Sequence, residues 1–532
     1  MLVSEVSSLP NGASASSRIV IIGSGAIGLY AASLLAMRGR NVLVIESGDR
    51  HLGTFAAESY VSVGRPHRGI SLGRSRSLGG TTNLWGGQLV EFQPIDFNGR
   101  DWLPGSKWPV GYDEIAPYYA RTYENLAIPA AMQHDEGVWR GISSDCPQLG
   151  NDFEVFLTRW LRTPGTAVMF ARQIESDKKM CVFTGCTAVG FRGEGGRIQA
   201  VKVLEKTGKS HWIDGDVFIL AAGTIENSRL LLHTAQDPQW ECPWRANKTI
   251  GQFFQDHPVC KIGVVEPTDK RTFFNMFSTI VLKGYKFQPK IRFRNEVLAQ
   301  RRILNVQGFF MFEGKVSEHL VYLKQFLKAA IFSRKLSGTG DLFRNFIGSI
   351  RFLVPLMWRY VKDHRIFVPG SANIGLGIQA EQAPCADSRI TIDGSSLDVY
   401  GLPRVVLDWR INEHDLESIR EFAIQIRDAM QSAGIGRLEI DEDLLNRNPK
   451  FLSNLRDNYH QIGGTVMGFS EQHGVVDKNL RVFGTTNFYV GGASIFRTSS
   501  NANPTFTAMA FATRLVDHLT GSGTDKANQS QD

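Results

Sequence analysis

The chain has 532 residues, of which 42% are hydrophobic and 21% are charged, values that indicate a globular protein and exclude a disordered or fibrous one. This length is sufficient for two or more domains. Six Cys are too few for a disulfide framework, and no Cys/His cluster has zinc-ligand spacing, so we expect reduced thiols and no metal site. The sequence contains no stretch of about 18 apolar residues, so it predicts no membrane-spanning helix.

The net charge of +7 has a local origin. Residues 321–365 hold nine Lys/Arg and two Asp, and 9 − 2 = +7 equals the whole excess. The rest of the chain is balanced, so the charge does not indicate a nucleic-acid partner. Apolar residues recur at helical spacing within this basic segment. It is either a pair of packed helices with solvated basic faces or an amphipathic segment that docks on an anionic membrane. The reduced thiols predict a cytoplasmic protein, and docking of the basic segment would add peripheral contact with the inner face of a membrane.

The N-terminal region predicts a nucleotide-binding βαβ unit. Residues 1–17 are Ser-rich and predict a loose tail rather than a secretory signal. A β-branched run over 18–22 predicts a buried strand, which is followed by a Gly-rich turn, helical spacing over 29–36 and a second strand over 41–45.

The glycines of this turn fit a dinucleotide. Gly23 permits the tight turn, Gly25 lets the backbone approach a pyrophosphate, and Gly28 lets the helix pack on the strand. The phosphates would bind at the helix N-terminus, and Glu46 would accept hydrogen bonds from ribose hydroxyls. The alternative is a Gly-rich turn with nothing bound.

Further glycine-rich turns follow along the chain. Residues 78–88 contain Gly79, Gly80, Gly86 and Gly87, which indicate close backbone approach to a flat ligand or, alternatively, an Ω-loop packed on itself. Residues 218–227 read as another strand and turn that return to the first sheet.

The middle of the chain reads as an α+β domain inserted between parts of the nucleotide domain. A hairpin is predicted over 389–392 and 405–409, and an amphipathic helix over 413–433. Near the C-terminus, His460 precedes a Gly-Gly pair, and Asn503-Pro504-Thr505 precedes a helical run over 506–519. Asn503 also fits a helix N-cap, with Pro504 at the first helical position.

These blocks, in this order, resemble the glucose–methanol–choline (GMC) oxidoreductase family. The resemblance covers both ends of the chain and is nearest to the branch of pyranose oxidases and bacterial sugar and polyol dehydrogenases. It implies an α/β fold in which a Rossmann-like FAD-binding domain carries an inserted α+β substrate domain with an antiparallel sheet and helices. The expected FAD domain is 18–110, 170–255 and 456–522. The expected substrate domain is 111–169 and 256–455, and 523–532 is an expected disordered tail.

The resemblance also implies a cofactor and a catalytic pair. His460 and Asn503 match the residues that face the reactive ring of the flavin. The stretch Thr82–Trp85 has no His, so covalent FAD attachment is not expected there. The implied FAD contacts are Gly23, Gly25, Ala26, Ile27, Gly28, Glu46, Gly79, Gly80, Thr81, Asn83, Trp85, Gly86, Gly87, Ala222, Gly223, Gly492, Ala493, Asn503, Pro504 and Thr505.

The expected chemistry is oxidation of an alcohol to a carbonyl. A neutral His suits the hydroxyl proton, and a side-chain amide can donate to the developing alkoxide, so His460 is the expected base and Asn503 its hydrogen-bonding partner. Arg497 and Asn501 depart from the family pattern and are expected beside the site, where they would favour a polyhydroxylated substrate. His257 is interpreted as structural.

Two alternatives stay open at this point, namely a sterol or lipid alcohol as substrate, or a catalytically silent flavin-binding scaffold for glycans or lipids. A flavin monooxygenase shares the N-terminal fold, but residues 490–493 lack the Gly-Asp block of that class. The electron acceptor would be O₂, a quinone or a redox protein.

Overall fold

The computed structural model describes residues 4–5, 14–50, 53, 57–240, 242–314 and 357–521. The strands are β1 Ser4–Glu5, β2 Ser14–Ile22, β3 Val42–Ile45, β4 Tyr60–Gly64, β5 Gln88–Leu89, β6 Phe153–Trp160, β7 Met180–Thr184, β8 Cys186–Glu194, β9 Arg197–Glu205, β10 Ser210–Leu220, β11 Val259–Pro267, β12 Ile280–Leu282, β13 Tyr285–Phe293, β14 Val306–Glu313, β15 Asn373–Ala380, β16 Arg389–Leu397, β17 Pro403–Trp409, β18 Gly436–Ile440 and β19 Phe488–Val490.

The α-helices include α1 Ala26–Met37, α2 Pro94–Phe97, α3 Tyr112–Asn125, α4 Asp135–Gly141, α5 Thr166–Met169, α6 Ala171–Ser176, α7 Thr224–Gln236, α8 Lys270–Phe277, α9 Asn295–Arg301, α10 Glu413–Ser432, α11 Glu442–Leu445 and α12 Pro504–Thr520. Residues 357–362 are also helical.

The first sheet has a parallel centre. Its order is β1-β7-β3-β2-β10-β9-β8, and β19 pairs with the C-terminal part of β10. Strands β1, β7, β3, β2, β10 and β19 run parallel to one another, whereas β9 and β8 are antiparallel additions. All four residues of β3 are buried, as a parallel sheet covered on both faces requires.

The second sheet is antiparallel throughout, with the order β18-β11-β15-β14-β13-β6-β5 and β12 beside β13. The predicted α/β fold, with a parallel nucleotide-binding sheet and an antiparallel substrate-domain sheet, is therefore confirmed.

Local predictions in the middle of the chain agree with the structure. The predicted hairpin is β16 and β17, which pair antiparallel. The predicted amphipathic helix is α10, with Ile419, Phe422 and Ile426 buried on one face. β17 also pairs in parallel with β4, a contact between distant segments that no local pattern signals.

The predicted loose tail is wrong at its C-terminal end. β2 begins at Ser14, and residues 14–17 pair with β10 from Trp212 to Gly215. Ser and Ala carry no apolar periodicity, so main-chain pairing forms this part of the strand without a signal in the sequence. β1 extends the same sheet next to β7. The domain boundaries stay a proposal, and β5 joins the second sheet although it lies within the proposed FAD segment 18–110.

Candidate active site

A cavity of about 670 Å³ lies between the two sheets. One wall is the carboxyl edge of the parallel sheet, where the ends of β2, β3, β10 and β19 are followed by Gly23, Glu46, Ala222 and Gly492. The opposite wall comes from β5, β6, β13, β14 and β15 of the antiparallel sheet. Ligands of open α/β sheets bind outside the carboxyl ends of the strands, and this volume is typical of a small-molecule site.

All but three of the predicted cofactor residues line this cavity. The exceptions are Gly28, Gly79 and Asn83, which shape the two loops from behind. A Cβ at Gly28 would lie 1.9 Å from the Gly23 carbonyl oxygen, so Gly28 permits the close approach of α1 to the first turn. Asn83 Nδ2 donates to the Leu78 carbonyl at 2.9 Å and thereby holds the second Gly-rich loop.

The nucleotide half of the cavity fits a dinucleotide. A Cβ built on Gly25 would meet no protein atom within 4 Å, so the space beside this glycine is open. Gly25 precedes the first residue of α1, where unpaired N–H groups attract phosphate. Glu46 is buried and accepts from the Ser24 amide at 3.0 Å and the Gly48 amide at 2.8 Å. Burial raises the pKa of Glu46, and these hydrogen bonds oppose that rise.

His460 is held in the opposite part of the cavity by a buried carboxylate. Asp256 Oδ1 accepts from the amides of His257 at 2.7 Å, Asn458 at 3.1 Å and His460 at 3.0 Å. Asp256 Oδ2 lies 3.0 Å from His67 Nε2. Burial alone would raise the pKa of Asp256, but the hydrogen bond from His67 and the neighbouring imidazoles lower it. The backbone of the His460 loop is thus fixed by one ionised side chain.

His257 determines which nitrogen of His460 carries the proton. His257 Nε2 lies 3.1 Å from the Ser499 carbonyl oxygen and 3.0 Å from that of Ser500, so Nε2 must be the protonated donor. Burial lowers the pKa of His257, so the ring is neutral and its Nδ1 is an acceptor. His460 Nδ1 lies 2.9 Å away and must therefore donate. It follows that His460 Nε2 keeps its lone pair.

Other contacts of the two imidazoles agree with this assignment. Asn458 Nδ2 lies 3.3 Å from His460 Nδ1, but the same amide group donates to Gln379 Oε1 at the shorter distance of 2.7 Å. His460 Nε2 makes no hydrogen bond with any residue that the structure describes. Burial, then the neighbouring His257, lower the pKa of His460 to about 3, with Lys290 acting in the same direction and Asp256 opposing it. The ring is neutral at neutral pH.

Asn503 presents an amide donor to the same cavity. Gln379 Nε2 donates to the Asn501 carbonyl at 2.7 Å and approaches Asn503 Oδ1 at 3.3 Å. Because the amide of Gln379 is oriented by these partners, Asn503 turns its oxygen to Gln379 and leaves Nδ2 for the cavity. Asn503 occupies the N-cap position of α12, as predicted, but its side chain makes no capping hydrogen bond. Its amide is therefore available for a ligand.

Polar side chains of the antiparallel sheet complete the wall, and no local pattern in the sequence singled them out. Gln88, Gln288, Lys290 and Gln379 line the cavity with the ring of Phe309. Gln288 and Lys290 are two residues apart on β13 and so point to the same face. An alternating polar strand reads as solvent-facing, and only the apposition of the second domain buries it.

Two residues expected beside the site do not line the cavity. Arg497 donates to the carbonyls of Gly105 at 2.9 Å and Met467 at 2.6 Å, so its guanidinium connects two loops of the protein. The buried Asn501 side chain donates to Asn305 Oδ1 at 2.9 Å. The expectation that these two side chains face the substrate is therefore wrong, because neither lines the cavity, although Asn501 Oδ1 is buried without a hydrogen-bond partner in the described part of the chain.

A buried cluster of His67, Asp256 and Asp457 has the composition of a metal site. Its carboxylate oxygens are already engaged, since both Asp457 oxygens accept backbone amides, at 2.8 Å from Arg68 and 2.7 Å from Gly69. Together with the contacts of Asp256, these bonds make the cluster a support for the His460 loop.

The basic segment lies mostly outside the described residues, which omit 315–356. In its described part, Trp358 is 62% exposed, whereas Arg365 is buried and donates to the Ser278 carbonyl at 2.9 Å. No helix in the described part of the chain is long and apolar enough to cross a membrane.

Comparison with known proteins agrees with this architecture. Residues 384–512 match the family described as GMC oxidoreductase, and residues 18–250 match the one described as FAD dependent oxidoreductase. The 2-methyl-1,2-propanediol dehydrogenase of Mycolicibacterium austroafricanum is 22% identical over 85% of this chain and 82% of its own. The fructose dehydrogenase large subunit of Gluconobacter japonicus is 20% identical over 95% and 98%.

A solved structure shares the fold. Pyridoxine 4-oxidase from Mesorbium loti superposes with a TM-score of 0.58 at 16% identity, covering 94% of this chain and 99% of its own. The fold, the dinucleotide cradle and these matches define an FAD-dependent oxidoreductase that acts on CH–OH groups. Over residues 384–512 the chain is similar to the GMC oxidoreductase family.

Proposed function

We propose that this enzyme oxidises a hydroxyl of a sugar, glycoside or polyol to a carbonyl, with His460 as the base and Asn503 as the hydrogen-bond donor. The observation that carries the proposal is the 2.9 Å contact between His257 Nδ1 and His460 Nδ1, from which the tautomer of His460 follows. Its Nδ1–H is held by His257, so the unprotonated Nε2 is left for a hydroxyl group. Bound FAD supplies the hydride acceptor.

Residues of the chain carry out proton transfer, stabilisation of the substrate oxygen and positioning of the base. His460 Nε2 accepts the hydroxyl proton, and the Nδ1–H contact with His257 stabilises the resulting imidazolium by charge-assisted hydrogen bonding. Asn503 Nδ2 donates to the substrate oxygen while negative charge develops on it. Asp256 keeps the His460 loop from moving. The proposed FAD contacts are the predicted residues that line the cavity, together with Ser24 and Thr224.

The lining of the cavity supports a polyhydroxylated substrate over a sterol. Gln88, Gln288, Gln379 and Asn458 place amide groups along the wall that faces the nucleotide cradle. At least one end of each amide is paired within the protein, but Gln288 Nε2 and Asn458 Oδ1 make no hydrogen bond in the described part of the chain, so substrate hydroxyls can pair with them whereas a sterol cannot. The dehydrogenase relatives named above act on a diol and on fructose, which supports the same class.

The test is an anaerobic titration of the purified yellow enzyme with sugars, polyols, sterols and long-chain alcohols, with no NAD(P)H present. We expect polyhydroxylated compounds to bleach the flavin absorbance. Bleaching by sterols alone would refute the sugar class, and bleaching by none would refute the oxidation. O₂, a quinone and a redox protein are proposed acceptors, and contact of 321–365 with a membrane stays a proposal.

A further inference from the structure

Lys290 is a buried cation in the cavity wall. Only 4% of Lys290 is exposed, yet the residue lines the cavity opposite the nucleotide cradle. Lysine is seldom buried unless a carboxylate or several acceptors pair with it. The described part of the chain offers Lys290 Nζ no hydrogen bond and no ion pair. Nζ lies 5.3 Å from the centroid of the Phe309 ring, which carries no counter-charge.

The acidic residues of the cavity are committed elsewhere. Glu226 pairs with Arg74 at 2.7 Å and with Arg229 at 3.6 Å. Glu46 is engaged by Ser24 and Gly48. The other polar side chains of this wall are neutral amides, and the titratable group facing Lys290 is His460, backed by His257 and Asp256. Whenever Lys290 is protonated, the site therefore contains a positive charge that the described protein does not neutralise.

We infer that Lys290 binds an anionic group of the substrate, a carboxylate or a phosphate, so that the enzyme prefers acidic polyhydroxy compounds to neutral ones. This inference rests on the proposed function and names the substrate class more closely. Gln288, two residues earlier on the same face of β13, is placed to contact hydroxyls near that anion. A buried ammonium and its anion interact strongly because little water separates them.

The geometry links anion binding to the proposed base. Burial lowers the pKa of Lys290 to about 7, so an anion that pairs with Lys290 favours the charged form. The positive charge of Lys290 also lowers the pKa of His460, in addition to burial and His257. Pairing neutralises that charge and makes His460 a stronger acceptor. An anionic substrate would therefore both bind more tightly and reduce the flavin faster than its neutral analogue.

The experiment uses the FAD-loaded full chain at about pH 6 and two matched probe series. These are glycerol, glycerate and glycerol 3-phosphate, and glucose, glucuronate and glucose 6-phosphate, with glucosamine as the cationic member. Binding is followed by the shift in thermal midpoint and by the flavin spectrum, and reaction by anaerobic flavin reduction. We expect at least tenfold tighter binding of one acidic class than of its neutral analogue, and no gain with glucosamine. The carboxylate and phosphate arms distinguish the two anions.

Two variants localise the effect. Lys290→Met should abolish the preference for acids, so that acidic and neutral probes bind this variant equally well. Lys286→Met removes the same charge from an exposed position on the same strand and should change nothing. Equal binding of acidic and neutral probes by the native enzyme would overturn the inference, as would an acid preference that survives Lys290→Met. If neutral polyols reduce the flavin without any preference, the proposed oxidation stands and the anion site does not. If acids bind through Lys290 but no alcohol reduces the flavin, the anion site stands and the proposed oxidation does not.

Discussion

His257 Nδ1 lies 2.9 Å from His460 Nδ1, and this contact leaves the unprotonated Nε2 of His460 for the substrate. The Ser499 and Ser500 carbonyls determine which ring nitrogens are protonated, because they accept from His257 Nε2 and so keep the proton of His257 on that nitrogen. The base is therefore prepared by a residue that does not touch the cavity.

Replacement of His257 tests this positioning role. His257→Leu removes the acceptor for His460 Nδ1–H, and we expect flavin reduction to slow by about tenfold or more because the wrong tautomer becomes populated. His257→Gln has both an acceptor oxygen and a donor amide and should restore much of the rate. Stopped-flow reduction at several pH values distinguishes this role from a structural one. The Leu variant should also change the acid limb of the profile, and equal rates and profiles for both variants would show that the ring only fills space.

The pH dependence of the native enzyme follows from the pKa of His460, which burial and His257 lower to about 3. Since the base form is lost only as pH falls through this value, we expect no acid limb from His460 between about pH 8 and pH 5. An anion paired with Lys290 would raise the pKa of His460 and so move the acid limb of the rate profile to higher pH. A limb near pH 6.5 with neutral substrates would contradict a buried neutral imidazole.

Asn503→Ala removes the amide donor while preserving Pro504 at the start of α12. Since the side chain makes no capping hydrogen bond, we expect little change in stability. Flavin reduction should slow by about 10²-fold, as for other preorganised donors to a developing oxyanion. Reduction rates and thermal midpoints measured together distinguish a catalytic role of Asn503 from helix capping. A large loss of stability with an unchanged rate would reassign Asn503 to helix capping.

Two glycines of the first turn should respond differently to alanine. The open space beside Gly25 means that Gly25→Ala should fold normally but bind FAD more weakly, because the methyl group occupies the phosphate cradle. Gly28→Ala would place its Cβ 1.9 Å from the Gly23 carbonyl oxygen, so it should destabilise the fold itself. Circular dichroism and FAD titration separate the two outcomes. Full FAD affinity in Gly25→Ala would place the phosphates elsewhere.

Lys290→Met should stabilise the protein in a pH-dependent manner. Burial lowers the pKa of native Lys290 to about 7, below its ordinary value of 10.5, so the unfolded chain binds more protons between these values. Native stability therefore rises with pH across this window, and the cost of burying the cation is complete below about pH 7. We expect the thermal midpoint of the variant to exceed that of the native enzyme most at pH 6 and least near pH 10. A gain that is independent of pH would argue that Lys290 is solvated or paired.

Much of the nucleotide half could be predicted from the sequence because its signals are local. The turn from Gly23 to Gly28, the acid Glu46 and the helix at Pro504 each follow from a few consecutive residues. The substrate half depends on pairing between distant strands. Lys290 lies in an alternating strand whose polar face reads as solvent-exposed, and only the second domain encloses it. His257 has no local mark of its role, which arises from contacts with residues 499, 500 and 460.

The most direct test of the account is anaerobic flavin reduction by His460→Ala, measured with the polyol that reduces the native enzyme best. The variant should retain FAD, because the nucleotide cradle is built by other residues, and should reduce it ~10²–10⁴-fold more slowly. His134→Ala, at an exposed position before α4, is the matched control and should reduce FAD at the native rate. A native rate of reduction in His460→Ala would contradict the proposal that His460 accepts the hydroxyl proton.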